Sequence, residues 1–238
     1  MGQEPRIVSM FKLMFDTLRG KKLQSNGMLE DFGKIMQISR EMLELTVEEL
    51  RRPTQNPELK DKIYAMDREV SEIQQRIRRQ IVEHLSESPQ DEPTIGLILM
   101  SVVKDAERLG DLTKNLFEVA DLLDRPLDWD EFNGLFGNLF DRLLRLHVES
   151  AAAFTSFDEA KARDLIEKEK HFKQDCNALI WNLAKQTTLK TNWAVCYGLM
   201  ARHIGRIAGN LLNICTAVVM PIEFLDIHDE SDLSELDF

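Results

Sequence analysis

The sequence is poor in the residues that mark several classes of protein. It has three cysteines among 238 residues, Cys176, Cys196 and Cys215, and none of them forms a CxxC pair. An odd number of separated cysteines predicts reduced thiols in a cytoplasmic protein rather than a disulfide framework. The apolar stretch ICTAVVMPIEFL is cut by Pro221 and Glu223. No apolar run therefore reaches the roughly eighteen residues that a membrane-spanning helix requires.

Basic residues are outnumbered by acidic ones. The chain has 30 lysines and arginines against 41 aspartates and glutamates, a formal net charge of −11. This net negative charge repels the phosphates of a nucleic acid, so we predict no nucleic-acid partner. Residues 223–238 contain seven acids and no lysine or arginine. They predict a solvated acidic tail, and the alternative is an acidic segment that binds a basic partner.

The sequence also lacks the motifs of common helical enzymes. None of the five histidines follows a glutamate by three positions, which is the spacing that di-iron bundles need. Neither a glycine-rich phosphate loop nor a nucleophile elbow is present. These absences predict that the protein is not an enzyme.

What the sequence does contain is helical periodicity. Apolar residues recur at spacings of three and four in six stretches, at about residues 29–51, 58–87, 94–124, 130–155, 158–186 and 191–219. The alternating pattern of strands is missing, and prolines and glycines cluster between the stretches. We predict an all-α fold of two tandem three-helix bundles, at residues 27–125 and 126–222, joined near Arg125.

A short amphipathic helix is predicted within residues 1–26. Its apolar face is followed by a basic group formed by Arg19, Lys21 and Lys22. Two interpretations stay open for this segment. It docks on the bundle, or it lies on an anionic membrane surface.

The third helical stretch repeats in the sixth. Its apolar positions alternate by four and three residues, the pattern of a bundle seam. The seam comprises Ile95, Leu99, Val102, Ala106, Leu109, Thr113, Leu116, Ala120 and Leu123. A shift of 98 residues takes Arg108 to Arg206, and it takes the first eight seam residues to apolar ones, namely Trp193, Tyr197, Met200, Ile204, Ile207, Leu211, Ile214 and Val218. The repeat predicts that the two halves share one fold.

Two carboxylates interrupt this likeness. Glu107 and Asp111 stand one helical turn apart outside the seam, where like charges cost roughly 0.2–0.5 kcal/mol unless a cation neutralises them. Their counterparts in the second half are Gly205 and Gly209. The first half therefore has a candidate cation site that the second half lacks. The alternative is a solvated face whose charge is balanced by Lys104, Arg108 and Lys114.

Four stretches of the chain resemble one known family. ERLGDLTKNLFEVA, residues 107–120, is similar to the third-helix signature of the PhoU family of phosphate-uptake regulators. MDREVSEIQQRIRRQIVEHL, residues 66–85, resembles the second helix of that family. In the second half, FTSFDEAKARDLIEKEKHFKQD and ARHIGRIAGNLLNI resemble the family's repeat and its closing helix. The resemblance extends from about residue 29 to residue 221.

This resemblance implies a cytoplasmic protein that represses or tunes phosphate import by contacting a transporter or its sensor kinase. Such a protein would act at the inner face of the membrane. The resemblance also implies a metal site at a Glu/Asp-x-x-x-Asp motif, matched by Glu107 and Asp111, with Asp67 as a further ligand. The metal would be iron, zinc, manganese or magnesium. It would be confined to the first repeat, because Gly205 and Gly209 replace the second motif.

Arg108 and Arg206 occupy equivalent positions in the two repeats. We predict that they bind a carboxylate, either on a partner protein or on a neighbouring helix of the same chain. Three functions stay open: an adaptor in phosphate transport or signalling, a partner of another ion transporter such as a sodium-phosphate symporter, and a metal-binding bundle. Self-association into a homo-oligomer is compatible with all three.

Overall fold

The structure, a computed structural model, describes residues 25–51, 56–87, 93–123 and 127–219. Nearly all of the predicted amphipathic segment at residues 1–26 lies outside the described residues, as do the acidic tail and the predicted joint at Arg125. Within the described ranges, every helix is too short or too polar to cross a membrane.

Eight α-helices and one 3-10 helix account for nearly all of the described chain. None of that part is β-strand, so the all-α prediction is confirmed. The 3-10 helix, Val119–Leu122, extends the third α-helix. The α-helices are α1 (Ser25–Arg51), α2 (Pro57–Glu87), α3 (Pro93–Glu118), α4 (Trp129–Phe136), α5 (Leu139–Ser156), α6 (Glu159–Glu169), α7 (Phe172–Lys185) and α8 (Thr191–Val219).

The fourth predicted helix is in fact two helices, α4 and α5, which corrects the prediction of one unbroken helix. Gly137 ends α4 with a φ of 52°, a left-handed value that favours glycine over residues with a Cβ atom. Asp128 begins α4 by accepting hydrogen bonds from two backbone N–H groups of the first turn. The ring centroids of Phe132 in α4 and Phe140 in α5 lie 5.3 Å apart across the break.

The fifth predicted helix is also two helices, α6 and α7. Asp158 caps α6 by accepting a hydrogen bond from the first turn, as predicted. The break falls between Glu169 and Phe172, where the sequence has neither proline nor glycine. Arg142 of α5 spans this break, donating hydrogen bonds to Glu169 at 2.7 Å and to Asp175 at 2.7 Å. The two ends are therefore held by one guanidinium group from a neighbouring helix.

Helices α3 and α8, which the sequence repeat relates, lie at the centre of the protein. They contact each other more extensively than any other pair in the described chain. Helix α3 also packs on α1 and α2, and α8 packs on α5, α6 and α7. The predicted seam is confirmed for all its described side chains except Ala120 and Leu123, which are half-buried. Ile98, Val103 and Leu112, which lie off the seam, are buried as well, because α3 has neighbours on more than one side.

The two halves share a continuous core. Helix α1 contacts α5 directly, and the ring centroids of Phe32 and Phe154 lie 4.4 Å apart. In the same contact, Ser39 Oγ and His147 Nε2 are hydrogen-bonded at 3.0 Å, and both side chains are buried. Each half follows the predicted order of three helices, but in the second half the first two of these are each divided, into α4 and α5 and into α6 and α7. The division into units that fold independently stays a prediction.

Candidate functional site

The structure brings together the three carboxylates that the resemblance assigned to a metal. Asp67 comes from α2, and Glu107 and Asp111 come from α3; we call these three residues the acidic cluster. Helix α3 packs against α2 near Gly110. A Cβ atom at that glycine would lie 3.5 Å from Asp67 Oδ1, which is ordinary van der Waals contact.

Lys114 lies within the acidic cluster. Its Nζ donates hydrogen bonds to Asp67 Oδ2 at 2.7 Å and to Asp111 Oδ1 at 2.9 Å. Burial alone would lower the pKa of Lys114, but the hydrogen bonds to the two carboxylates outweigh it and raise that pKa above its usual value. The ammonium group of Lys114 is therefore a cation, supplied by the chain itself, that offsets negative charge in the acidic cluster.

Glu107 is less exposed than the sequence predicted. Its side chain is half-buried, and Ser71 Oγ of α2 donates a long hydrogen bond of 3.4 Å to Glu107 Oε1. Burial raises the pKa of Glu107, and the negative charges of Asp111 and Asp67 raise it further. Of the three carboxylates, Glu107 is the one that Lys114 does not bind.

As arranged, the acidic cluster does not fit a metal ion. Among the residues that the structure describes, no group of three or more His, Cys, Asp or Glu side chains is placed to hold one. The ammonium group of Lys114 occupies the position between Asp67 and Asp111 that a bridging ion would need. Metal binding at Asp67, Glu107 and Asp111 stays a prediction, and it requires Lys114 to move away.

A second site lies where the two halves meet. A cavity of about 290 Å³ is lined by side chains from α3, α7 and α8. Four of its lining residues are basic, namely Arg108, Lys173, Arg202 and Arg206, and all four are exposed. We call this the basic cavity. None of its eleven lining residues is acidic.

Arg108 and Arg206 therefore line one cavity, although they belong to different repeats. No hydrogen bond or ion pair joins either guanidinium group to another residue in the described part of the chain. The alternative in which they bind a carboxylate of a neighbouring helix is thus not seen in that part. Binding of a partner by Arg108 and Arg206 stays a prediction.

The two glycines that replace the second acidic motif both line the basic cavity. A Cβ atom at Gly205 would lie 3.2 Å from Cys176 Cβ of α7, closer than most such contacts, so this glycine permits the close approach of α7 to α8. A Cβ atom at Gly209 would meet no atom within 4 Å. Gly209 therefore leaves open space, and the missing side chain enlarges the cavity.

Sequence analysis missed several residues of this region. Arg202 and Lys173 complete the basic cavity but belong to no motif, and they come from separate helices. Trp181 of α7 is 69% exposed, which is unusual for tryptophan. The one available signal was helical spacing: Lys173, Asn177 and Trp181 recur every four residues and so share one face of α7.

Known proteins resemble this chain in sequence and in fold. The family model described as the PhoU domain matches residues 32–120, which include the whole acidic cluster. No curated protein matches the chain. Among solved structures, the chain is similar to the phosphate transport system regulatory protein PhoU from Streptococcus pneumoniae, with a TM-score of 0.70 and 19% identity. That likeness covers 89% of this chain and 96% of the other, and at such low identity it concerns the fold. The resemblance to the PhoU family is thus confirmed: residues 32–120 match the PhoU domain, and the chain shares the fold of the solved PhoU structure over 89% of its length.

Proposed function

We propose that the protein regulates phosphate transport without catalysing a reaction, by binding a transporter or its sensor kinase at the inner face of the membrane. One observation carries the proposal: residues 32–120 match the PhoU domain, within a chain that shares the fold of a phosphate transport system regulatory protein over 89% of its length. A fold shared at low identity supports a regulatory role but leaves the partner open. The surface of the protein indicates what kind of partner it binds.

The face around the basic cavity supports a protein contact. Trp181 of α7 and Val195 of α8 are 69% and 51% exposed. Trp181 lies four residues after Asn177 and Val195 seven before Arg202, so both lie on helix faces that line the cavity. Tryptophan and arginine are the residues most enriched at binding hot spots. We infer that the partner presents an acidic surface with an apolar centre to this face.

The experiment is deletion of the gene in its own host, followed by measurement of radiolabelled phosphate uptake at high and at low external phosphate. We expect uptake at high phosphate to rise on deletion and to return to normal with the wild-type gene. The double variant Trp181→Ala, Arg206→Glu should fail to restore it. Arg145→Glu makes the same charge change at an exposed arginine of α5 outside the cavity, and it should restore regulation fully.

Unchanged uptake in the deletion strain would contradict the proposal. The partner is identified by cross-linking the tagged wild-type protein and the double variant in cells, and comparing what each retains. A phosphate transporter or sensor kinase lost only from the double variant would support the adaptor role. A sodium-phosphate symporter lost in the same way would favour the alternative of a partner of another transporter.

Metal binding in the first repeat is the second candidate: Asp67, Glu107 and Asp111 converge between α2 and α3, and an ion would bind there only after Lys114 leaves its position between Asp67 and Asp111. The test is elemental analysis of the purified protein beside a variant with Glu107→Ala and Asp111→Ala. Iron, zinc, manganese or magnesium present in the wild type and absent from the variant would support the site. Equal metal content in the two proteins would place any metal elsewhere.

A further inference from the structure

We propose that the basic cavity binds a small anion with two or three linked phosphate groups. The proposal rests on the side chains that line the cavity and on the absence of ion-pair partners for its four basic residues within the described chain. It requires no partner protein, so it can be tested whether or not the chain regulates phosphate transport.

The first argument is the charge of the cavity. Arg108, Lys173, Arg202 and Arg206 place four positive groups around one cavity in a chain whose net charge is −11. Neither an acidic lining residue nor a described ion-pair partner compensates them. Like charges around a shared cavity repel one another, and a multiply charged anion removes that repulsion while a single chloride ion removes only part of it.

The second argument is the chemistry of the lining. Guanidinium groups donate parallel pairs of hydrogen bonds to phosphate oxygens, and three of the four basic residues are arginines. Asn177, Asn210 and Asn213 add amide groups to the wall. The amide N–H groups of Asn177 and Asn213 can donate to phosphate oxygens, whereas Asn210 Nδ2 already donates one hydrogen bond to the backbone carbonyl oxygen of Arg206.

The third argument is shape. At about 290 Å³ the cavity is near the lower end of the volumes that ligand sites occupy, which suits a compact anion. None of the lining residues is aromatic, so the wall offers no ring on which a nucleotide base could stack. The phosphate chain is therefore the part of a ligand that the cavity recognises, whether it is inorganic or part of a nucleotide.

The position of the cavity gives such an anion a structural effect. Arg108 belongs to α3 in the first repeat, whereas Arg202 and Arg206 belong to α8 in the second. An anion bound by all three would join the two repeats across their largest contact. Binding should therefore raise the thermal stability of the whole protein, because a ligand that binds only the folded state stabilises it by mass action.

The experiment is isothermal titration calorimetry of the full-length protein, freed of metal ions, with tripolyphosphate, pyrophosphate, inorganic phosphate, ATP and sulfate. We expect one tripolyphosphate per chain, bound at least ten-fold more tightly than inorganic phosphate or sulfate, and ATP bound about as tightly as tripolyphosphate. Binding of ATP without binding of tripolyphosphate would overturn the proposal, because the base rather than the phosphates would then be recognised. So would the absence of any binding at millimolar concentrations.

Two pairs of variants locate the site. Arg202→Gln with Arg206→Gln should weaken tripolyphosphate binding at least ten-fold, whereas Arg79→Gln with Arg145→Gln, the same loss of charge at exposed arginines outside the cavity, should change it less than two-fold. Equal effects of the two pairs would show non-specific attraction and overturn the proposal. Circular dichroism melting confirms that each variant is folded.

A steric pair leaves the charge unchanged. Gly209→Leu should fill the cavity and weaken binding, whereas Gly198→Leu, also in α8 and also facing open space, should leave binding unchanged. Full binding by Gly209→Leu would place the anion outside the cavity and contradict the proposal. If Gly209→Leu fails to fold, the arginine pairs still decide the question.

Discussion

At the scale of single residues, Lys114 decides what the acidic cluster can bind. Replacing it by methionine keeps the length of the side chain but leaves Asp67 and Asp111 without the cation that both of them bind. We expect Lys114→Met to unfold more easily by about 2 kcal/mol, between the values for exposed and buried ion pairs, because both Lys114 and Asp67 are mostly buried. Urea denaturation measures the change.

The same variant should gain metal affinity, since three carboxylates at one place then need a cation. We expect Mn²⁺ to bind Lys114→Met at least ten-fold more tightly than the wild type in calorimetry. Lys168→Met removes an exposed lysine paired with Asp164 on α6 and serves as the matched control, with no expected change in Mn²⁺ binding. An unaltered Mn²⁺ affinity in Lys114→Met would show that the acidic cluster does not form a metal site even when vacated.

His147 gives the protein a defined response to acid. Burial lowers the pKa of His147 to about 4, so the folded protein holds it neutral while the unfolded chain takes up a proton near pH 6.5. The unfolding free energy is therefore unaffected by His147 above about pH 6.5, and it falls as the pH drops from 6.5 toward 4. By pH 5 the loss amounts to about 2 kcal/mol.

The measurement is urea unfolding at pH 7.5 and at pH 5 for the wild type and for His147→Gln. We expect the fall in unfolding free energy between the two pH values to be smaller in the variant by about 2 kcal/mol. His203, whose pKa is lowered by burial and by the charge of Arg206, remains in both proteins and cancels in the comparison. An identical fall in both proteins would mean that His147 is solvated rather than buried.

At the scale of helices, the two glycines of α8 should respond oppositely to alanine. Gly209 faces open space, so Gly209→Ala should raise the stability by up to about 1 kcal/mol through helix propensity alone. At Gly205 the added methyl group would press on Cys176 at 3.2 Å, and this strain should cancel or reverse the gain. Thermal melting of the two single variants tests the order, and a more stable Gly205→Ala would contradict it.

The helices themselves show which features a sequence can predict. Apolar spacing predicted α1, α2 and α8 to within a few residues, because each presents a regular stripe to its neighbours. It did not predict the break between Glu169 and Phe172, where an arginine from another helix holds both ends. A local pattern carries no information about such a distant side chain.

Of the two sites, one could be predicted from the sequence and the other could not. Spacing and family resemblance predicted the acidic cluster, since Glu107 and Asp111 are neighbours on one helix. The basic cavity could not be predicted as a whole, because Lys173, Arg202 and Arg108 lie on three helices that only the tertiary fold brings together. The off-seam residues of α3 were a signal that this helix has a second buried face.

At the scale of the whole molecule, the halves should remain together after the chain is cut. A protease site introduced at residues 124–126 lies between the halves and outside every described helix. We expect the cleaved protein to elute as one particle in gel filtration, because α3 and α8 share the most extensive contact and Phe32 packs on Phe154. Separate elution of two helical fragments would instead show that each half is an autonomous bundle.

The basic cavity, which both repeats line, shows what a chain with two repeats can do that a symmetric pair of single repeats cannot. A single repeat that paired with a copy of itself through its third helix would contribute the same arginine from both sides, as in any two-fold interface. In such a pair, a substitution would necessarily appear twice. Two repeats in one chain are free of that constraint: arginine occupies the equivalent positions 108 and 206, whereas the positions equivalent to Glu107 and Asp111 are Gly205 and Gly209. Equivalent helices of the two repeats can therefore contribute to two sites of opposite charge within one molecule.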